Sequence, residues 1–406
     1  MSPLENRYLP QTPLIPPSGK IRIVQLGCGI TGLVCAEQLG KNEKVDSIVL
    51  ADYNTDAAKK MVARVKSDKF VVKKVDATKT GELRKLLRGC DLVVSSLPWG
   101  LLMKALNAAA EAGCDYVDFS MTVDSFGKFR EADRMCRRAG ITAVTAVGSD
   151  PGISDCFAMY AAGKLDVALE AHVMDGDSGS AEGVNLFSLW SPIDLLEETT
   201  VPAAVYRNGK IEYVPPLHER EIYEFPPPIG PLPVYKTNHE ETYLMPRFIK
   251  TLKKADFRIA IDDEFANAAR WLRKLGMHSL KPVDVKGVKV RPLDVVVALM
   301  PRPVEMIGKV KGHAAVVVEV IGKKAGRKTM VKMWTMMSHE RAYEIGRSNA
   351  TGYLVGSGGS VAAEMIIEGV VDHKGLHVPE QLPAKDFISR LPSRGLEVHE
   401  QIRVLG

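Results

Sequence analysis

The stretch from Ile21 to Gly32 reads IRIVQLGCGITG: an apolar, strand-like run into Gly27-x-Gly29-x-x-Gly32. A second apolar run, SIVLAD, ends in Asp52, twenty residues after Gly32. The first glycine permits a tight turn, the second lets backbone approach a diphosphate, and the third lets a helix close on the strand. Free amides at the start of that helix, at the positive end of its dipole, then face negative charge. Glycines also mark ordinary turns, but the flanking strand, helix and carboxylate together predict a dinucleotide-binding βαβ unit contacted by Gly27, Gly29, Ile30 and Gly32. Asp52 is placed to accept a hydrogen bond from a ribose 2′-hydroxyl.

Tyr53, Asn54 and Thr55 follow Asp52, with no cation there to neutralise a 2′-phosphate, which the carboxylate would repel. The sequence therefore favours NAD over NADP, although Lys59 and Lys60 lie further along the next helix and can reach back. FAD shares the fingerprint, but no second flavin-binding stretch stands out. Two further cofactor positions are expected at strand ends: Asp76 at the adenine edge, or equally as a helix cap or turn residue, and the backbone of Ser95, Ser96 and Leu97, turned by Pro98.

With 406 residues the chain can hold two or three domains around an apolar core and needs no metal or disulfide staple. Lys and Arg number 54 against 49 Asp and Glu, and acids interrupt the bases throughout, which argues against a nucleic-acid partner. Cys28, Cys35, Cys90, Cys114, Cys136 and Cys156 form no CxxC pair and are expected to be free thiols in a reducing compartment. Scattered histidines, His172 included, give no metal motif, so no metal is expected. No run of about 20 apolar residues suits a membrane, and MSPLENRYLPQTPLIPPSG is a poor signal peptide. A cytoplasmic enzyme with a small-molecule substrate is the expectation, assembled as a homodimer or higher homo-oligomer.

Strand-like and helix-like runs alternate from Ile21 to Gly148, predicting a Rossmann-type doubly wound parallel sheet over residues 20–148, preceded by an arm at 1–19. SDPGISDCFAMYAAGK then reads as a Pro-Gly turn and a helix capped by Ser154 or Asp155. Residues 149–345 read as a second, mixed-sheet α/β domain for substrate and assembly. Asn208-Gly209 marks a type I′ hairpin within it. KTMVKMWTMM is either an exposed sheet partner or core. In the last segment, 346–406, Gly356 to Gly359 read as a flexible hinge feeding a helix that returns to the nucleotide domain.

VQLGCGITG, LADYNTDAAKKM, CDLVVSSLP, DYVDFS, AGITAV, SDPGISD, NLFSLWSPIDLLEETTVPAAVYRNGKIEYVP and GLHVPEQ together resemble the saccharopine-dehydrogenase-like oxidoreductases, over most of residues 20–383. Within that family the resemblance is strongest to the lysine 6-dehydrogenases. It implies NAD-dependent oxidation of the ε-amine of L-lysine, release of ammonia and cyclisation of the semialdehyde. An ammonium has no lone pair to stabilise the developing iminium, so a base or water relay is required. Asp118 and Asp150, after strands at the cleft, are candidates for that role; the alternatives are a sheet-end acceptor for Asp118 and a turn residue for Asp150. His239 is a third catalytic candidate. Thr122, Lys236, Asn238 and Arg247 are candidate substrate contacts, Arg247 as a fork for a carboxylate. The family's lysine dehydrogenases carry small, glycine-rich residues where this chain has Asn238-His239-Glu240. Two other readings compete: a dehydrogenase or reductase for a secondary amine of the saccharopine or carboxynorspermidine type, and a catalytically silent NAD-binding structural protein.

Overall fold

A computed structural model describes residues 20–121, 126–184 and 186–405, so the expected arm at 1–19 lies outside the described residues. The chain forms two compact units, one of residues up to Cys156 with Val355–Gly395, the other of Phe157–Leu354 with the chain from Leu396 on.

The first unit alternates β1 (Ile21–Leu26), α1 (Ile30–Leu39), β2 (Val45–Asp52), α2 (Asp56–Val65), β3 (Phe70–Lys74), α3 (Thr80–Leu86), β4 (Leu92–Ser95), α4 (Trp99–Ala112), β5 (Asp115–Asp118), α5 (Phe126–Ala139) and β6 (Thr142–Val144). These strands lie parallel in the order β3-β2-β1-β4-β5-β6. The order reverses between β1 and β4, where a doubly wound sheet opens its ligand crevice. Leu92, Val93 and Val94 are all buried, as strands covered on both faces require. A seventh strand, Gly375–His377, comes from far along the chain and pairs in parallel with β6.

The other unit follows α6 (Ile153–Gly163). Its elements are β7 (Val167–Asp177), α7 (Pro192–Thr200), β8 (Ala203–Arg207), β9 (Lys210–Val214), β10 (Glu221–Phe225), β11 (Gly230–Lys236), α8 (Glu241–Phe248), β12 (Lys254–Ala260), α9 (Asp263–Lys274), β13 (Val283–Val285), β14 (Val288–Val290), α10 (Pro292–Leu299), α11 (Pro303–Met306), β15 (His313–Lys324), β16 (Arg327–Ser338) and α12 (His339–Gly346). A nine-stranded mixed sheet dominates, with β7 central between β12, parallel to it, and β15, antiparallel. The Asn208-Gly209 turn joins β8 to β9 with φ of +46° and +90°, the two positive values a type I′ hairpin needs. In β16 the KTMVKMWTMM run is mostly core rather than an exposed partner: Thr329, Val331, Met333, Thr335 and Met337 are buried, and Met330, Lys332, Trp334 and Met336 alternate with them half-buried.

Three local expectations are corrected. Gly356 to Gly359 form no hinge; they lie inside a continuous helix, Ala350–Ile367. Their smallness serves close packing instead: a Cβ on Gly358 would collide with the Gly148 carbonyl, one on Gly359 with the Phe119 ring, and one on Gly356 would sit 2.7 Å from the Thr31 oxygen. Ser154 lies in the first turn of α6 rather than at its cap, whereas Asp155 caps from within that turn, its carboxylate reaching back to accept from the Gly152 amide at 2.7 Å. The C-terminal segment also divides. Residues 355–395 join the nucleotide unit, whereas the terminal strand, His399–Val404, pairs antiparallel with β16, its His399 ring stacked 5.0 Å from Trp334. All six cysteines are buried and free. Among the described residues no helix is long and apolar enough to cross a membrane.

Candidate active site

The glycine turn sits at the carboxyl end of β1, beside the end of β4. Gly27 has φ +84°, which a side chain rarely tolerates, and a Cβ there would lie 2.7 Å from the Ser96 carbonyl. A Cβ on Gly32 would collide with the Ser96 hydroxyl and the Gly27 carbonyl. A Cβ on Gly29 would meet nothing within 4 Å: its outer side opens onto free space directly before α1. That is the cradle a diphosphate needs, and Ile30 begins the helix whose first amides face it. Asp52 closes β2 with its Oδ2 accepting from the Cys28 amide at 2.6 Å and its Oδ1 from the Asn54 amide at 2.8 Å. A carboxylate has about four acceptor positions, so it can clamp the turn and still accept from a ribose hydroxyl. Together these residues fit a nicotinamide dinucleotide.

One sequence candidate, Ser96, braces this turn together with Gln25. Ser96 donates to the Gly27 carbonyl at 2.8 Å and accepts from Gln25 Nε2 at 3.1 Å, so its hydroxyl is committed to the loop. Gln25 escaped notice; a buried amide inside IRIVQLG was its only signal, and it also donates to the Gly27 carbonyl at 3.1 Å. Ser95 is buried and Leu97 half-buried as β4 runs out. Asp76 accepts from the amide and hydroxyl of Thr78, at 3.0 and 2.6 Å, which hold its carboxyl below the usual range. That is the turn role left open for it.

At the end of β5, Asp118 is fully buried, and its Oδ1 accepts from the Thr145 hydroxyl at 2.8 Å and the Ala146 amide at 3.1 Å. These bonds secure Ala146 in a left-handed conformation, φ +60°. The geometry is that of the sheet-end acceptor, a positioning residue, and it argues against Asp118 as the proton acceptor. Asp150 is half-buried in the turn before α6. That turn is drawn tight by the Gly148 amide, which donates to the Pro151 carbonyl at 2.7 Å. Thr122 lies outside the described residues.

In the second unit, β11 and the loop before α8 bring together Lys236, Asn238 and His239. The His239 ring stacks on Phe257, 3.9 Å between centroids and 11° from parallel. Its Nδ1 pairs closely with Glu241 and lies 3.6 Å from Glu240. Burial disfavours the imidazolium, but the charges of Glu241, Glu240 and Glu198 outweigh it and hold the pKa well above the ordinary value. That direction favours the imidazolium and argues against His239 as a resting general base. His239, Glu240 and Glu241 present ligand atoms within 4.8 Å of one another, a grouping the expectation of no metal did not foresee. A metal needs neutral imidazole, which the carboxylates oppose. Asn238 accepts from the Tyr243 hydroxyl at 2.6 Å. Lys236 is buried against Glu219, with Asp256 at 4.0 Å, and Arg247 is exposed on α8. His172 bonds Asp256 at 3.0 Å, and Arg258 bonds the same carboxylate at 3.0 Å. The cations of this region are thus matched by acids, whereas around His239 the acids outnumber them.

Comparison with known proteins agrees with this geometry. A family model described as the saccharopine dehydrogenase NADP binding domain matches residues 23–144, and one described as the saccharopine dehydrogenase C-terminal domain matches residues 148–396. Carboxynorspermidine synthase of Vibrio alginolyticus is 28% identical, over 93% of this chain and 96% of its own. Carboxyaminopropylagmatine dehydrogenase of Synechocystis sp. is 26% identical, over 94% and 98%. Saccharopine dehydrogenase (L-Glu forming) of Saccharomyces cerevisiae shares the fold with a TM-score of 0.73 at 18% identity, covering 95% of this chain and 100% of that one. The fold of a Legionella pneumophila homospermidine synthase solved with NAD superposes with a TM-score of 0.67 at 15% identity, over 96% and 93%. With the C-terminal model alone spanning more than half of the chain, the protein belongs to the saccharopine dehydrogenase family and is an NAD(P)-dependent oxidoreductase acting on an amine C–N bond.

Proposed function

We propose that this enzyme uses NAD to oxidise the secondary amine of a carboxylated polyamine, or runs the reverse reductive condensation, in place of the lysine ε-deamination expected from the sequence. The observation that carries this is the acid-rich lobe around His239, formed by Glu241, Glu240 and Glu198. Lys236 and Arg258 beside it are already engaged by Glu219 and Asp256. A substrate with several carboxylates, such as saccharopine, would meet repulsion there, whereas an arm bearing ammonium groups would be attracted. The relatives that match nearly end to end are named for compounds of that kind, which supports this alternative over lysine.

When bound, the dinucleotide accepts a hydride from the carbon beside the amine nitrogen. The turn from Gly27 to Gly32 would hold its diphosphate and Asp52 its adenosine ribose; NAD is favoured because that carboxylate repels a 2′-phosphate. Asp150 is the proposed acceptor of the amine proton. Loss of hydride and proton leaves a substrate imine; water adds to it and splits it into an aldehyde and a primary amine. Glu240, partly exposed beside His239, would attract an ammonium group of the substrate.

The test follows NADH formation with carboxynorspermidine, carboxyaminopropylagmatine, saccharopine and L-lysine as separate substrates, with the released amine identified. Turnover of either carboxylated polyamine, with a primary amine as product, is expected. NADH and free ammonia from L-lysine alone would restore the first expectation.

A further inference from the structure

Among its described residues the nucleotide unit exposes three large apolar side chains: Val71, on the outermost strand, Tyr53 and Trp99. Tyr53 and Trp99 are placed alike. They follow β2 and β4, the strands on either side of β1, and so flank the glycine turn at the carboxyl edge of the sheet. Tyr53 adjoins Asp52 on the adenosine side. Trp99 stands on the opposite side, toward β5, where a dinucleotide held by the turn directs its reacting end.

Trp99 opens α4, one turn ahead of Leu102, which with Ala105, Leu106 and Ala109 is buried along that helix. At the head of the helix 57% of the tryptophan stays in water. It is fixed all the same: its indole Nε1 donates to the Met121 carbonyl at 2.9 Å, tying the start of α4 to the chain beyond β5. The chain has four tryptophans, and the other three are engaged. Trp190 packs on a small apolar cluster, Trp271 carries Lys274 4.7 Å from its ring centre, and Trp334 has Lys332 and the stacked His399. Trp99 alone, among the described residues, holds out an anchored indole with no cation or second ring on it.

We propose that the Trp99 ring face receives the substrate nitrogen as it becomes cationic during oxidation. When hydride leaves the neighbouring carbon for the cofactor, the nitrogen lone pair forms the C=N bond, and the nitrogen stays positive until it gives up its proton. A carboxylate at that position would favour the starting ammonium and hold back its deprotonation. Asp118, at the end of the adjacent strand, is fully buried and committed to Thr145 and Ala146. An aromatic face attracts the cation through its quadrupole, most strongly for tryptophan, yet it neither takes a proton nor titrates. The attraction is greater for the charged transition state than for the neutral amine that precedes it, so it speeds the step. This rests on oxidation at an amine carbon and not on which amine is oxidised.

The rate of NADH formation in a single turnover, with whichever of the four amines named above is oxidised, reads the effect. Trp99→Leu should slow it about 30-fold and Trp99→Phe about 5-fold, with NADH affinity by calorimetry and the pH–rate profile unchanged. Replacing tryptophan by 5-fluorotryptophan, which weakens the ring quadrupole, should slow the unsubstituted chain about 3-fold and leave Trp99→Leu unaffected. If Trp99→Leu impairs folding, fluorination of the unsubstituted chain against Trp99→Phe decides alone. Equal losses of NADH affinity and rate would mean that the ring holds the cofactor and would overturn the proposal, as would a rate indifferent to Trp99→Leu or to fluorination. Oxidation of L-lysine alone would remove the polyamine reading and leave this one standing, to be read on lysine. No oxidation of any of the four would end both.

Discussion

The nucleotide unit and the mixed-sheet unit place their polar groups by opposite means. In the first, the ligand cradle is backbone: glycines at 27, 29 and 32 shape it, and neutral partners such as Gln25 and Ser96 brace it. In the second, the polar groups are charged side chains paired on a sheet, from His172, Asp256 and Arg258 to His239 and Glu241. A backbone cradle depends on shape and fails abruptly when filled. A charged lobe depends on the balance of cations and acids, and is tuned by pH and by single neutralising substitutions.

The contrast can be broken or sharpened by five measurements. Gly32→Val forces a side chain into the Ser96 hydroxyl and the Gly27 carbonyl; overpacking of this kind costs about 3 kcal/mol or more, so titration with NAD should show at least a ~100-fold loss. Near-normal affinity would show that the cradle is not the binding surface. Asp150→Asn should lower kcat by about 100-fold with cofactor affinity kept, and an unaltered pH–rate profile would remove it from proton transfer. Loss of a charge-assisted bond in Asp52→Ala should weaken NAD by roughly 30-fold and NADP much less; equal losses would refute the ribose assignment. Glu240→Gln should raise KM for a polycationic substrate by about 5-fold and lower the His239 pKa, read by NMR.

The smallest effect is on stability. Burial disfavours protonated His172, but Asp256, with Glu170 beyond it, raises its pKa from 6.5 to about 9. Its contribution is therefore complete below about pH 6.5 and is lost as pH rises through about 9. Denaturant unfolding of His172→Asn should lack that alkaline decline, and parallel curves for both proteins would dismiss it.

What the sequence disclosed follows the range of the contacts. The glycine turn and Asp52 lie within about thirty residues and have fixed spacing, so the parallel sheet and its cradle were readable from Ile21 onward. The Asn208-Gly209 hairpin was readable for the same reason. His172 meets Asp256 only because β7 pairs with β12 across 84 residues, and no local pattern announces that. Asn238-His239-Glu240 stood out as unusual, but not the stacking on Phe257 or the acids that hold the ring charged. Gly356 to Gly359 misled because glycine permits both bending and close packing, and only the presence of Gly148 and Phe119 opposite decides between them.

The late-coming strand at Gly375–His377 has a consequence for biosynthesis. A nascent chain that has emerged only to residue 156 holds the whole glycine turn yet leaves β6 as a bare sheet edge, with the grooves for the Ala350–Ile367 helix vacant. The dinucleotide unit reaches its final form only after residues 355–395 are made, so the ribosome delivers the intervening residues 157–354 first. An excised segment ending near residue 150 would be an unfinished domain rather than a minimal one.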